Sequence, residues 1–372
     1  MAGPDRPGLA AAAERLRRAA ASDIIPYREL RDEMERLFLE LGLAQDDAAL
    51  AAEGLLYPQL CGSDSHGAAT LTLYVKGLLD GTIKARPQVR CEQALSATLL
   101  VDADHGLGLV ESRKAMDRVI ALARQHGVGA AAMRNSSHFG AAGYYADLAA
   151  RQGLIGLAFS NAAPAIAPTG GVTQLLGTNP ISAGVPVGAG APMVLDMATA
   201  TVARSRIRQM LARGETVIPS GWALDARGDP TTDAAAAISG SVLPIGGAKG
   251  YGLALLVELL CSALADGEAG FGITYENVVE RPSGISHFFL AIDPMGFAGL
   301  DALARRAQHI ATTIETSEAV GGGPAPRLPG GRAAEEQAGR RARGIPIAPN
   351  LKAALAQTAT LLENYAGKSA SA

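Results

Sequence analysis

The chain has 372 residues, more than one ordinary domain, and this length predicts two lobes. Hydrophobic residues make up 48% and charged residues 19% of it, which excludes a disordered protein. The net charge of −3 leaves no basic field for nucleic acid, and the 44 glycines indicate many tight turns or backbone that approaches a ligand.

The first 25 residues are rich in Ala and Arg, but Asp5 and Glu14 interrupt them. We expect a frayed or helical extension over residues 1–25 and neither a signal nor a transit peptide. The longest apolar run, residues 253–264, contains Glu258 and is shorter than the roughly 18 residues that a membrane span needs. The sequence therefore predicts no membrane partner.

The next segment predicts helices only. Apolar residues recur at helical spacing over residues 27–41, and Gly42 ends that helix. A second helix runs from Asp46 through Leu56 and is expected to stop at Pro58, because proline cannot donate the helical hydrogen bond. A third lies around residues 71–79. This helical block is predicted over residues 26–82 and is joined by the C-terminal residues 345–372, which contain a helix over 351–365.

After Gly81 helices and strands alternate at short spacing, which is typical of an α/β fold. The predicted strands cover residues 97–101, 128–133, 154–159 and 287–292, and the predicted helices cover residues 110–125, 141–151, 201–211 and 251–264. Residues 321–344 are rich in Gly, Pro and Arg and are expected to begin with a loop. The α/β region is predicted over residues 83–344.

Several common signatures are missing. No GxGxxG follows a predicted strand, so the Rossmann fingerprint is missing, and there is no P-loop, GxSxG elbow, HExxH or other metal-ligand spacing. The three cysteines, Cys61, Cys91 and Cys261, form no CxxC pair, which argues against a disulfide framework and a zinc ribbon. Their use favours a reducing compartment, and we expect a cytoplasmic protein.

The first candidate for chemistry is the polar turn Ser63-Asp-Ser-His66 between two predicted helices. A histidine there can donate or accept a proton near neutral pH, and Ser65 can orient it. The alternative is helix capping, for which Ser and Asp are the usual residues. A serine hydrolase using Ser65 and His66 is disfavoured, because adjacent residues on a turn rarely bring the hydroxyl onto the imidazole.

Two glycine-rich junctions lead into helices. Residues 135–143, Asn-Ser-Ser-His-Phe-Gly-Ala-Ala-Gly, lie between a strand and a helix, where free N–H groups favour an anion. Residues 246–252, Gly-Gly-Ala-Lys-Gly-Tyr-Gly, combine a flexible loop with Lys249, a natural partner for phosphate. Close packing and an exposed turn are the alternatives, but two such loops fit a ligand with several anionic groups.

Two further segments have polar residues at strand ends. Thr178 and Asn179 offer hydrogen bonds in a tight turn, Leu176-Gly-Thr-Asn-Pro180. Asp196 ends the apolar run of Val194-Leu-Asp-Met-Ala-Thr199, where its carboxylate can accept from a ribose hydroxyl. Either segment can instead be turn chemistry. The other histidines have no partner cluster in the sequence and are interpreted as structural or exposed: His105, His126, His287 and His309.

Taken in order, these segments resemble the type-2 malate/L-lactate dehydrogenase family, which includes ureidoglycolate dehydrogenases and piperideine-2-carboxylate reductases. The resemblance covers about residues 27–350 and adds Leu328-Pro-Gly330 to the motifs above. It implies a nicotinamide cofactor in a non-Rossmann α/β domain, a helical dimerisation domain formed by the chain's two ends, and a homodimer. The missing GxGxxG agrees with this.

The resemblance also implies residue roles. His66 is the proton donor or acceptor with Ser65 assisting it, His138 is the rival base, and Thr178 contacts substrate. The implied cofactor contacts are His138, Phe139, Gly140, Ala141, Ala142, Asp196, Met197, Ala198, Lys249, Arg327 and Arg332. The two arginines at 327 and 332 can meet a 2′-phosphate, so NADP is favoured slightly over NAD.

The chain departs from the family pattern at the substrate clamp. The family carries an Arg three residues after Ser-His-Gly, and this chain has Thr70 there. A neutral threonine cannot replace a fixed-charge fork, so a simple 2-oxo or 2-hydroxy acid is in doubt. Arg204 or Arg206 can supply the lost cation from another direction. Arg206 also stands where the imine-reductase branch has an Asp, which argues against a standard cyclic-imine reductase.

The sequence thus predicts an NAD(P)-dependent oxidoreductase that transfers hydride to or from a C=O or C=N carbon of a small molecule. A cyclic imine (ketimine) reductase of the same family is an alternative. The changes at Thr70 and at Ala200, where the dehydrogenase branch of the family has a Ser, also leave open a nucleotide-binding homologue without catalysis.

Overall fold

The computed structural model describes residues 8–63, 67–274 and 281–370. Its helices are α1 (Leu9–Ala21), α2 (Tyr27–Glu40), α3 (Gln45–Leu60), α4 (Leu71–Asp80), α5 (Gly108–His126), α6 (Ala142–Arg151), α7 (Arg204–Ala212), α8 (Ala234–Ser239), α9 (Ala248–Glu258), α10 (Leu300–Glu315), α11 (Gly331–Arg343) and α12 (Pro349–Ala370). Within the described ranges no helix is both long enough and apolar enough to cross a membrane.

A seven-stranded sheet forms the centre of the α/β region, in the order β2-β3-β4-β10-β5-β6-β7. The strands are β1 (Ile24–Ile25), β2 (Arg90–Glu92), β3 (Thr98–Asp102), β4 (Val128–Ser136), β5 (Ile155–Ser160), β6 (Ile181–Val185), β7 (Met193–Met197), β8 (Ala223–Leu224), β9 (Pro230–Thr231), β10 (Ile285–Ile292) and β11 (Ile345–Pro346). The prediction of an α/β fold is confirmed.

The sheet brings several strand ends to one edge. β3 is parallel to β4, and β10 is antiparallel to both β4 and β5. β6 is antiparallel to both β5 and β7. β3, β4, β5 and β7 therefore run in one direction, and their carboxyl ends lie at the same edge, together with the start of β6 and β10. In open α/β sheets that edge is the usual position of a ligand.

α5 and α6 pack closely on one face of the sheet. A Cβ at Gly184 of β6 would overlap the carbonyl oxygen of Ala146 on α6, and a Cβ at Gly129 of β4 would overlap that of Val119 on α5. Glycine at these positions lets the helix backbones approach the strands. Between them lie the buried aromatic side chains of Phe139, Tyr145 and Phe289.

The two ends of the chain complete a helical block. Leu16 of α1, Leu55 of α3 and Leu362 of α12 are buried in one apolar cluster, and β1 pairs with β11. Arg15 of α1 also forms ion pairs with Glu33 and Glu40 of α2. The segment expected to be an extension thus contributes a helix to this core.

Several features differ from the sequence expectations, which included neither α8 nor the edge strand β2. α3 does not stop at Pro58 but continues to Leu60, because a proline in the last turn removes only one donor and the Cys61 amide still bonds to Tyr57 O at 3.0 Å. α10 was not predicted. α11 occupies most of residues 321–344, because the Ala, Glu, Gln and Arg residues after Gly331 are strong helix formers despite the flanking glycines.

Candidate functional site

The predicted motifs meet at the sheet edge where β4, β5 and β7 end. Residues 135–143 comprise the last two residues of β4 and the segment after it, residues 176–180 precede β6, and Asp196 is the penultimate residue of β7. These segments are far apart in sequence, and they converge because the parallel strands end together. The loops that carry these motifs therefore lie side by side at the carboxyl end of the sheet.

His138 is oriented by two donors from different parts of the fold. The Tyr74 hydroxyl lies 2.6 Å from its Nδ1, and the Gly140 amide lies 3.3 Å from the same atom. A backbone amide can only donate, so Nδ1 is an acceptor and the neutral imidazole carries its proton on Nε2. The Gly140 amide therefore fixes the tautomer of the neutral ring, and Tyr74, from the helical block, donates to the same nitrogen.

Phe139 is a core residue and His287 lies directly against it. The two rings stack at 4.4 Å, and the Phe139 ring is buried, so its backbone is what remains for a cofactor contact. His287 Nδ1 lies 2.9 Å from the Ser160 hydroxyl, and Nε2 lies 3.0 Å from the Ser136 hydroxyl. Burial lowers the pKa of His287 to about 3, so its ring is neutral. His287 does have a partner cluster, contrary to the sequence expectation, and it links the ends of β4 and β5.

Asp196 caps the start of α6. Its Oδ2 accepts from the Gly143 amide at 3.0 Å, and Gly140, Ala141 and Ala142 lie just before that amide. The chain's own carboxylate thus bonds to one of the N–H groups expected to attract a ligand phosphate, which corrects that expectation because a second anion there would be repelled. Asp196 is exposed, yet protein atoms crowd its carboxylate, and this desolvation raises its pKa to about 6.

Backbone hydrogen bonds connect three of the predicted segments. The Thr199 amide donates to Thr178 O at 3.0 Å, and the Ile245 amide donates to Thr199 O at 2.9 Å. Thr178 is half-buried beside this ladder, and Met197 and Ala198 precede Thr199 on it. The turn at 176–180, the end of β7 and the loop before Lys249 are therefore one connected wall.

Lys249 is exposed in the first turn of α9. Within the described residues it has no hydrogen-bond or ion-pair partner. Gly246 and Gly247 precede it with φ of +58° and +64°, and a Cβ at Gly247 would meet nothing within 4 Å. A cation, a helix N-terminus and open space at a glycine turn suit an approaching anionic group.

The loop that carries Arg327 lies against the outer strand β7. The Val194 amide donates to Pro329 O at 3.3 Å, and Gly330 has φ of +81° with no room for a Cβ beside Val194. Arg327 forms an ion pair with Glu335 at 3.0 Å, whereas Arg332 is exposed and unpaired within the described ranges. Both arginines therefore lie near the strand that carries Asp196.

The comparisons with known proteins agree with this geometry. The family model described as malate/L-lactate dehydrogenase matches residues 25–356. The chain belongs to this family. It is 38% identical over 325 residues to a protein of Chromohalobacter salexigens named (2R)-3-sulfolactate dehydrogenase (NADP(+)), covering 87% of this chain and 93% of that one.

Two further relatives define the range of the family. A protein of Ancylobacter novellus named Delta(1)-pyrroline-2-carboxylate reductase is 34% identical over 315 residues, covering 84% of this chain and 91% of that one. The solved sulfolactate dehydrogenase of Methanocaldococcus jannaschii superimposes with a TM-score of 0.84 at 36% identity, covering 91% of this chain and 97% of that chain. The chain is therefore an oxidoreductase with the fold of this family.

Two predicted site residues lie outside the described part of the chain, and the predicted substrate cation Arg204 is bound by other protein groups. Ser65 and His66 lie outside the described residues. Thr70 donates its hydroxyl to Gly67 O at 2.8 Å, in the turn before α4. Arg204 donates to the side chain of Gln174 at 3.0 Å and to the carbonyl of Ile238, so its guanidinium binds other loops of the chain.

Sequence reasoning missed two further polar groups at this edge. Tyr74 was not singled out as a site residue, and Glu258 was noted only as an interruption of an apolar run. Glu258 is buried and accepts from Asn161 and Asn179. A carboxylate in the middle of the apolar run 253–264 was the available signal, since a buried charge needs specific partners. Within the described residues no group of three His, Cys, Asp or Glu side chains could hold a metal ion.

Proposed function

We propose that the chain is a cytoplasmic NAD(P)-dependent oxidoreductase that moves a hydride between nicotinamide and a C=O or C=N carbon of a small substrate. The observation that carries this proposal is the convergence of His138, Thr178, Asp196 and Lys249 at the carboxyl edge of the sheet. Single motifs of this kind are weak, but one wall built from all of them suits a long ligand with both neutral and anionic parts.

The residues present fit a dinucleotide. The exposed carboxylate of Asp196 can accept from ribose hydroxyls, and the unpaired cation of Lys249 at the start of α9 suits a phosphate. Met197, Ala198 and the backbone at 139–142 are small or apolar surfaces beside them. When bound, the nicotinamide supplies the hydride donor or acceptor; the protein supplies orientation and proton transfer.

Proton transfer is assigned to a histidine. We propose His66, with Ser65 beside it in sequence, as the group that gives a proton to the substrate oxygen or nitrogen or removes it. His138 is the second candidate, and its Nε2–H tautomer, fixed by the Gly140 amide, is the form that donates a hydrogen bond to substrate. Thr178 is proposed as a substrate contact because its turn lies on the same wall.

The substrate class is proposed from the altered clamp. Thr70 cannot form a two-pronged ion pair with a carboxylate, and Arg204 is bound to Gln174 and Ile238. We therefore expect a 2-oxo or 2-hydroxy acid-like substrate whose acid group is recognised by hydrogen bonds or is replaced by a neutral group. A cyclic imine is the alternative, favoured by the relative named as a pyrroline-2-carboxylate reductase.

The choice of nucleotide is proposed as NADP over NAD. Arg332 is exposed and unpaired within the described ranges, and it can meet a 2′-phosphate. The relative named for NADP(+) supports this preference. Arg327 is already paired with Glu335, which weakens its attraction for a 2′-phosphate. Arg332 is therefore the residue on which the preference for NADP depends.

The assembly is proposed as a homodimer. α9 is apolar around its circumference, and a patch of large apolar side chains on it and on the segment that follows is exposed, namely Leu253, Leu255, Leu256, Leu259, Leu264 and Phe271. A patch of this kind is typical of a protein–protein interface. A second copy of the chain is the proposed occupant, at an interface on α9 rather than on the helical block that the family resemblance implies as the dimerisation domain.

A substrate screen tests the function. The absorbance of NADH and of NADPH is followed in both directions with a panel of oxo acids, keto amides and cyclic imines. We expect turnover with at least one member and its loss in His66→Ala, while His309→Ala, on the exposed helix α10, keeps it. Calorimetric binding of NADPH without turnover across the panel would instead indicate the nucleotide-binding homologue that has lost catalysis. Undiminished turnover in His66→Ala would refute the role of that residue.

A further inference from the structure

Glu258 is a buried carboxylate at the last residue of α9, only 5% exposed. Its Oε1 accepts from Asn161 Nδ2 at 3.0 Å and from the Gly270 amide at 2.8 Å. Its Oε2 accepts from Asn179 Nδ2 at 2.9 Å. In the part of the chain that the structure describes, no Lys or Arg forms an ion pair with it.

A buried carboxylate without a cation is costly, because removal from water is offset only by the hydrogen bonds it accepts. An apolar side chain of similar volume would cost less at this position. The three N–H donors around Glu258 therefore indicate a group that holds particular atoms rather than one that only fills space. Each donor belongs to a different segment of the chain.

The hydrogen bond from Asn179 to Glu258 stabilises the turn that carries Thr178. Asn179 has φ of +20°, a backbone conformation that needs support from its surroundings. Its Nδ2 also donates to Ala254 O at 2.9 Å, so two bonds to α9 hold the side chain. Gly177 packs against the carbonyl of Ala162, with no room for a Cβ. The turn is thus fixed from below by α9 and from the side by the loop after β5.

The hydrogen bond from Asn161 to Glu258 stabilises the loop after β5. Asn161 Oδ1 accepts from the Ser286 amide at 2.8 Å, and its Nδ2 donates also to Glu268 O at 2.9 Å. This side chain therefore connects the end of β5, the start of β10 and the segment after α9. Glu258 joins Asn161 to Asn179, and so joins the two loops that flank the proposed substrate position.

The helix changes its geometry immediately after this residue. Residues Leu259–Ala263 form a π-helical turn, and the Ser262 hydroxyl donates to Glu258 O at 2.8 Å. π-turns inside helices are rare and occur frequently at functional sites. The π-helical turn directly follows Glu258, whose carboxylate bonds to two loops at the carboxyl end of the sheet. This is a second indication that the position of Glu258 matters.

We propose that Glu258 is a positioning residue for the substrate pocket. Its carboxylate holds Asn161 and Asn179 so that Thr178 and the loop after β5 keep the spacing that the reaction requires. It does not itself contact substrate or cofactor. The expected effect on kinetics rests on the proposed function. The expected effect on the two loops does not depend on that function.

Glu258→Gln is the sharpest test because it keeps the shape of the side chain. Its amide oxygen can still accept from Asn161 and Gly270, but its NH₂ group then faces the NH₂ group of Asn179, two donors without an acceptor. We expect kcat/KM for substrate to fall on the order of 10- to 100-fold, because a small displacement of the groups that orient the substrate slows the reaction. The Kd for NADPH should change less than about threefold, because Asp196 and Lys249 keep their own contacts.

Asn179→Gly provides a second variant that tolerates positive φ and removes only the side-chain bonds. Asp293→Asn is the matched control, since Asp293 is a buried carboxylate at the opposite end of β10, bonded to Met295 N and Arg124. Amide hydrogen exchange over residues 161–181 is measured beside the kinetics and the melting temperature. We expect faster exchange there in Glu258→Gln and Asn179→Gly, and unchanged exchange there in Asp293→Asn.

Two results would overturn the proposal. One is unchanged exchange over residues 161–181 in Glu258→Gln. The other is a loss of melting temperature in Glu258→Gln and Asn179→Gly with the same small kinetic change as in Asp293→Asn. If the wild-type chain turns over no substrate, the proposed function fails, and the exchange measurement still decides whether Glu258 holds these loops.

Discussion

The Tyr74 hydroxyl donates to Nδ1 of His138 across 2.6 Å and joins the helical block to the carboxyl edge of the sheet. The two residues belong to different parts of the fold, and Tyr74 is fully buried. Because the Gly140 amide donates to the same nitrogen, the proton of the neutral ring is on Nε2. The amide thereby sets which ring nitrogen can donate, and the buried hydroxyl holds the ring in place.

Tyr74→Phe should therefore lower turnover without unfolding the chain. Loss of one neutral hydrogen bond that orients the His138 ring is expected to reduce kcat/KM by about tenfold. Steady-state kinetics over pH measure the effect. Tyr144→Phe, which removes a hydroxyl bonded to Arg113 and Glu53 away from His138, is the control. Equal losses in the two variants would contradict a specific role for Tyr74.

Asp196 predicts a pH dependence of nucleotide binding. Its pKa is raised to about 6 by desolvation, so its carboxylate is ionised above pH 6 and becomes protonated below it. Ribose hydroxyls lose their acceptor on protonation, and the Kd for NADPH should rise by up to about tenfold for each pH unit below 6. Asp196→Asn should bind more weakly and flatten this profile, as measured by nicotinamide fluorescence at pH 5 to 8. The same slope in both proteins would exclude Asp196 as the titrating group.

His287 predicts a loss of stability in acid. An unfolded histidine has a pKa near 6.5, whereas burial lowers the pKa of His287 to about 3. Between these values the unfolded chain takes up a proton that the folded chain does not, so stability falls as pH drops below about 6.5, by up to about 1.4 kcal/mol for each pH unit. His287→Gln should be less stable at pH 7 but lose less between pH 6.5 and 4.5.

Urea unfolding at each pH measures this effect. His309→Gln, at a surface position on α10, is the control and should follow the wild-type slope. A variant His287→Gln that loses stability as steeply as the wild type would show that other groups carry the acid dependence.

If the exposed apolar patch on α9 is the dimer interface, charged residues placed in it should convert the dimer to a monomer. Leu256 and Leu259 are 52% and 51% exposed on one apolar patch. Replacing both with Glu should shift the mass measured by light scattering from twice the chain mass to once, because two buried carboxylates would face their copies. Met295→Glu, at an exposed position outside α9, should leave the dimer intact. A wild-type chain that is already monomeric at micromolar concentration would refute the assembly.

The sequence was sufficient to single out His138, Asp196 and Lys249 as candidates, because each lies in a short motif at a strand or helix end. Those junctions have local signals, such as glycine, small residues and a polar side chain after an apolar run. Alternating helices and strands predicted the α/β region for the same reason. Local periodicity did not detect α10, and the glycines flanking α11 concealed it.

Only the tertiary structure decided which distant side chains act together. Tyr74 meets His138, Asp196 meets Gly143, and Glu258 meets Asn179, although 64, 53 and 79 residues separate the members of these pairs. No periodicity encodes such contacts, because they depend on the strand order that brings the ends of β4, β5 and β7 to one edge. The residue types in the motifs indicated the kind of chemistry, and the parallel strands bring the motifs to one end of the sheet.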